Sequence, residues 1–412
     1  MKTQEFIKKG GFKMKKVLVL MIALALVFTL AACKKEDKTL QMLWWSDGTE
    51  GDVMQTLLDE YKEETGVTIE LNPIAYNDYE AKLATMISGG EAPALARVTE
   101  GHQTNFEESI LSLEGVFDEA GFTNLAFNSD GDVMSLPMDI TANGMFVNTD
   151  LLDANDVDYP ALGDTVWTWD QFETEMMKLD GQSGVAAPGI FDHQAHRFMA
   201  LMYQNGVTIW DTPYSSSNLK SAAAVEVIDM LIGFYEDGFL PRDTYVTKNS
   251  ASLFRTGQYG FHLSGNWNVS NYQDLDFNWA VVPMPQNSNR ATILGGKSLS
   301  AFDGSGMEKE AKAFIAWMAE GEQHDQYTGG VPYLTPRLGA TVDYGVFDDQ
   351  YAVFLDEIGN TDAKYVADWK LETSIPGMYP IINQFVEDAA SGEYTAIALL
   401  TQLEIDLKAA AE

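Results

Sequence analysis

One cysteine in 412 residues, Cys33, leaves no disulfide to draw, so the stability of the folded body rests on packing. Cations are scarce as well. The chain carries 26 Lys and Arg against 61 Asp and Glu, a formal net charge of −35. A field of that sign repels phosphate backbones, and no basic stripe interrupts it, which excludes nucleic acid as a partner. Histidine is rare too, and although His193 and His196 are close enough to share a helix face, no convincing third ligand accompanies them. No metal or other cofactor is expected. Beyond residue 33 no apolar run is long enough to span a bilayer. What is present suits a folded protein: 46% hydrophobic and 11% aromatic residues place the excess acid on a surface and exclude a disordered chain.

The one long apolar stretch is Val17 to Leu30, preceded by Lys15 and Lys16 and followed by Ala31-Ala32-Cys33. A basic start, a short hydrophobic run and small residues before a cleavage point are the parts of a signal peptide. The run with its cysteine resembles the lipobox of bacterial lipoproteins. That resemblance implies cleavage before Cys33, lipidation of its thiol, residues 33–38 as a tether, and a mature protein held by its acyl chains on the extracytoplasmic face of the cell membrane. Lys9-Gly10-Gly11 has a codon set that spells a ribosome-binding sequence just upstream of Met14, so the true start is expected at Met14. Losing residues 1–32, which hold six lysines and Glu5, deepens the net charge to about −40.

Short apolar runs then alternate with helical patterns, the mark of an α/β protein with mostly parallel sheets, and the length suits two domains. Strands are expected at Thr39–Trp45, Val67–Leu71, Ala94–Val98, Met145–Asn148 and Ala280–Met284. Helices are expected over Asp52–Thr65, closed by Gly66, over Ala222–Tyr235, Glu308–Ala319 and Ile397–Ala410, and after an N-cap at Thr168. Asp130-Gly131-Asp132 signals a turn. Gly295-Gly296-Lys297-Ser298 mimics the end of a phosphate loop, but Ala291 occupies the place of its leading glycine, so it is a loop whose backbone can approach a ligand.

An ordered set of motifs runs through the chain: Leu43-Trp44-Trp45-Ser46-Asp47-Gly48, Gly89-Gly90-Glu91-Ala92-Pro93, Asp130-Gly131 ahead of Leu136-Pro137, Phe146 to Leu152, Trp167 to Phe172, Phe254 to Gln258, Ser264-Gly265-Asn266-Trp267, and Gly295-Gly296. The set resembles the family 1 extracellular solute-binding proteins of ABC importers, the group that includes maltose-binding protein. Ala94 departs from it where an aspartate is usual, and Val147 where a tyrosine is common. The resemblance implies a two-lobe, type II clamshell with several hinge crossings, near Asn143–Thr149, Val282–Gln286 and Leu334–Ala340. Residues 39–145 with 286–336 would form one lobe, and 146–285 with 337–412 the other. It also implies a monomer that captures a carbohydrate, most readily an oligosaccharide, and hands it to transmembrane permease subunits.

Ligands of open α/β sheets sit beyond the carboxyl ends of strands, and a sugar needs aromatic plates beside groups that hydrogen-bond hydroxyls. The loops so placed offer Trp45, Asp47, Glu50, Glu100, His102, Asp139, Thr141, Asn143, His193, His196, Arg197, Asn268 and Lys297. For Trp267 the resemblance implies stacking on a sugar ring, with Trp45 or Tyr379 as the second plate. Asp47 and Glu50 serve equally well as caps of the helix that follows, and any single carboxylate among so many serves equally as a solvated surface group. Two rival functions share these features: a lipid-anchored glycoside hydrolase, which needs a carboxylate pair at fixed separation, and a ligand-binding module for a sensor kinase.

Overall fold

The computed structural model describes residues 39–46, 48–191, 194–242, 250–331 and 333–411; Cys33, the tether, Asp47 and His193 lie outside them. Nine strands build the two principal sheets: β1 (Thr39–Trp44), β2 (Thr68–Pro73), β3 (Leu95–Val98), β4 (Leu136–Pro137), β5 (Asn143–Asn148), β6 (Ala187–Phe191), β7 (Tyr259–Gly265), β8 (Trp279–Val282) and β9 (Ser298–Ala301). The helices that matter below are α1 (Glu50–Thr65), α2 (Tyr76–Ser88), α3 (Glu100–Asn105), α4 (Ala195–Gln204), α5 (Ala222–Glu236), α6 (Glu308–Met318), α7 (Ala363–Thr373) and α8 (Met378–Ser391).

Local sequence explains the boundaries. Helix α1 stops where Gly66 takes φ +74°, a left-handed turn that glycine adopts without strain, and donates its N–H to the Lys62 carbonyl. Thr168 caps the helix Trp169–Met176 in a reciprocal box with Gln171. The apolar face of α5 buries Val227, Ile228, Leu231 and Phe234.

Each sheet has its own core and its own lobe. The first runs β2-β1-β3-β9-β4 and packs Leu40, Met42, Leu57, Leu95, Phe314 and Tyr327 around it. The second runs β8-β5-β7-β6, with Phe172, Phe198, Ile228, Phe261 and Leu400 among its buried residues. The expectation of mostly parallel sheets is corrected. Strands β1, β2 and β3 are mutually parallel, but β9 is antiparallel to β3 and β4, and β5 is antiparallel to both β8 and β7. The reason is the entry point: Ser298 starts β9 beside Val98, the last residue of β3, and Asn143 starts β5 beside Gly265, the last residue of β7. A chain arriving through the cleft enters a sheet at the ends where its parallel strands finish, and so must run the other way.

The crossings are bonded to one another. Ile140 donates to the Leu334 carbonyl at 2.7 Å, and Thr141 and Gly295 exchange bonds of 2.8 and 3.1 Å. Asn143–Thr149, expected as a crossing, is strand β5 and the start of a helix, and the crossing itself lies just before it, at 138–142. A multi-stranded ribbon of this kind resists twist while allowing the lobes to bend.

Candidate functional site

Trp267 is the central feature of the cleft. It lies in the short 3-10 turn Asn266–Asn268 at the end of β7 and is half-buried. Its ring folds back over Gly265, where a Cβ would lie 1.8 Å from Cζ3, so only glycine permits this rotamer. The Arg197 guanidinium sits 4.6 Å from the ring centroid and the Lys297 ammonium 5.5 Å from it. Among the described residues no direct ring contact joins Trp267 to Trp45 or Tyr379, and the groups seated against its ring are these two cations.

Both cations are held in place. Arg197, on α4, is 4% exposed and reaches Ser264 Oγ at 3.4 Å. Lys297 lies 3.5 Å from Asp139, donates to Thr141 Oγ1 at 3.4 Å and stands 4.7 Å over the Tyr333 ring. Asp139 is fully buried, 3.7 Å from Arg97 on its other side, and accepts the Lys297 N–H. Thr141 and Asp139 are therefore residues that fix Lys297.

Glu100, at the start of α3, is only partly covered, and its carboxyl accepts from the Gly296 N–H and the Asn124 amide. Desolvation of the carboxyl itself, which points into the cleft, pushes its pKa up to about 7, with a smaller contribution from Asp139. The two glycines of the 295–296 loop make this possible, since a Cβ on Gly295 would lie 3.2 Å from Glu100 Oε1 and one on Gly296 2.9 Å from Asn124 Nδ2. The loop's backbone thus approaches a carboxyl of the protein itself. Tyr379 lies beside Glu100, Tyr76 and Arg197, and burial raises its hydroxyl well above the ordinary value. Its ring packs on His196 with centroids 5.2 Å apart, and its hydroxyl is 3.3 Å from His196 Nε2.

Several expected residues face inward instead. Trp45 is 1% exposed: Tyr76, Tyr79 and His102 cover it, and Arg97 stands 4.6 Å over its ring, so it does not present a face to the cleft. Glu50 is the ion-pair partner of buried Arg97 at 2.9 Å and accepts the Gly48 N–H. His102 closes a capping box with Thr99, and burial pulls its pKa down to about 4, which keeps the ring neutral. Asn143 donates to the His196 carbonyl at 2.8 Å, and Asn268 is tied to Ser264 and Asn271. These five hold the walls of the site. Glu100, His196, Arg197, Trp267, Lys297 and Tyr379 come together around it.

Tyr76, Asn124 and Tyr333 escaped the sequence reading. Tyr76 is 46% exposed at the start of α2, and the strand-end rule applied to β2 would have found it. Asn124 has φ +61°, a left-handed conformation invisible in a one-letter code. Tyr333 has no local signal.

Residues 56–350 match the family model described as bacterial extracellular solute-binding protein. Among solved structures, the chain is similar to an ABC substrate-binding protein of Listeria monocytogenes in complex with cycloalternan, with a TM-score of 0.77 and 21% identity over 90% of this chain and 98% of that one. The GacH receptor of Streptomyces glaucescens, solved free and with acarbose, gives 0.77 and 17% over 92% and 99%. Maltose-bound MalE3 of T. maritima gives 0.72 and 18% over 90% and 99%. At such identities the likeness is one of fold.

Proposed function

Because the chain belongs to the bacterial extracellular solute-binding protein family and has its two-lobe, type II clamshell fold, we propose that it is the lipid-anchored, extracytoplasmic binding component of an ABC importer, which captures an oligosaccharide between its lobes and delivers it to the permease subunits. The observation that carries the ligand class is Trp267. An indole face beside Glu100, Arg197, Lys297 and Tyr379 offers an apolar plate and a ring of hydrogen-bonding groups, the pair of surfaces a sugar presents in reverse. The similar proteins named above were solved with cycloalternan, acarbose and maltose, which supports the same class.

The hydrolase reading fits less well. Glu100 has the raised pKa of a general acid, but Asp139, the carboxylate that acts on it, is fully buried and tied to Arg97 and Lys297, so it cannot reach a glycosidic carbon. Thermal-shift screening against linear and cyclic glucose oligosaccharides tests the proposal. A ligand at about 100 times its dissociation constant adds roughly 2.7 kcal/mol of stability. No shift with any saccharide beside a clear shift with an amino acid or peptide overturns the ligand class, and sugar turnover overturns the carrier.

A further inference from the structure

The lobes also meet at the edge of the cleft, through protein groups alone. Thr104 Oγ1 on α3 donates to the Thr373 carbonyl at the end of α7 at 2.6 Å, and the Gly377 N–H donates to Asn105 Oδ1 at 3.2 Å. Helix α3 belongs to the first lobe, where His102 packs on Trp45 and Tyr79. The turn between α7 and α8 belongs to the second, where Trp369, Ile375 and Met378 are core residues. One turn earlier on α3, buried Gly101 faces the Tyr379 ring so closely that a Cβ would lie 2.7 Å from both Cδ2 and Cε2.

Nothing in α3 itself calls for glycine there. Gly101 is absent from the glycines with positive φ, and alanine is the better helix former. The requirement comes from across the cleft. The Tyr379 ring has little room to retreat, because His196 and Trp369 pack on it at 5.2 and 6.0 Å. The turn beneath it is set by Gly377 at φ +71° and by the bond from the Met378 N–H to the Ile375 carbonyl.

We propose that Gly101 is a positioning residue for lobe closure: together with Thr104 and Asn105 it latches the Thr373–Tyr379 turn, biases the unliganded lobes toward the closed state, and seats Tyr379 beside Glu100. The latch acts through the open–closed equilibrium, so it tunes the affinity of the site from outside the ligand's contacts. It rests on the two-lobe fold and not on what the cleft binds.

Hydrogen exchange of the unliganded full-length protein tests it. Gly101→Ala should raise amide exchange across 373–379 about tenfold, since the latch opens, while β1 and β7 keep their protection. Thr104→Val should act in the same direction, less strongly. The double variant Gly101→Ala with Tyr379→Ala should exchange no faster than Tyr379→Ala alone, because the clashing ring is gone. Wild-type exchange in Gly101→Ala, or effects of Gly101→Ala and Tyr379→Ala that simply add, overturns the proposal. If Gly101→Ala loses protection throughout β1 to β3, Thr104→Val decides, and unchanged exchange over 373–379 in that variant overturns it.

Discussion

Replacing Glu50 with glutamine keeps the side chain's shape and removes the negative charge closest to Arg97. That guanidinium is fully buried, bonded to Glu50 at 2.9 Å and to the Trp45 carbonyl at 2.6 Å, with Asp139 at 3.7 Å and the Trp44 and Trp45 rings at 4.9 and 4.6 Å. Breaking one side of a buried pair costs about 3–5 kcal/mol, because the remaining charge stays out of water. Asp139 retains part of the attraction, which points to the lower end, about 3 kcal/mol. A lobe of this size loses about 2–4 °C per kcal/mol, so the transition that unfolds the first lobe should fall by about 6–12 °C in scanning calorimetry. Glu100→Gln, in the same cleft but only partly covered, should fall far less. If Glu50→Gln melts within about 1 °C of wild type and instead loses affinity for solute, Glu50 is a ligand group and the ion-pair assignment is wrong.

Gly265→Ala should displace the Trp267 ring and weaken ligand binding about as much as Trp267→Ala, by roughly 2–4 kcal/mol or about thirty- to several-hundredfold, with the melting temperature nearly kept; calorimetric titration showing wild-type affinity in both refutes the stacking role. Glu100 should shape stability against pH: its folded pKa of about 7 lies above its ordinary 4.5, so between these values the native state holds a proton the unfolded chain has released, and stability declines as pH rises through the window. His102, held at about 4 against 6.5, has the opposite slope, so Glu100→Gln should convert the profile to a plainer rise with pH; an unchanged slope in thermal melts across the window refutes the shift. Cys33→Ala should abolish lipidation and move the protein from the detergent phase to the aqueous phase, and partitioning equal to wild type counts against the anchor.

The strands and helices were legible wherever periodicity and punctuation agreed. Gly66 after a helical pattern, Thr168 with Gln171 three residues on, and the apolar spacing of α5 are local features, and local sterics settle them. The helices Asp348–Asn360, α7 and α8 went unread, because their apolar residues are held by contacts with distant segments. Strand direction was misjudged for the same kind of reason: adjacency in sequence does not reveal that a strand enters its sheet through the cleft.

The site divides along the same line. The sequence alone determined which residue types stand near strand ends, and so picked out Trp267, Glu100 and Arg197 after β7, β3 and β6, with Lys297 just before β9, because the loops at the cleft end of the sheets gather at one place. Only the tertiary structure decided which of the candidates face solvent. Glu50 is a carboxylate after the first strand in either account, yet Arg97, 47 residues away, makes it an interior counter-ion. Trp45 is an aromatic at a strand end, yet Tyr76, Tyr79 and His102 cover it. Burial and charge pairing depend on what long-range packing brings within a few ångströms, and a linear pattern does not encode that distance.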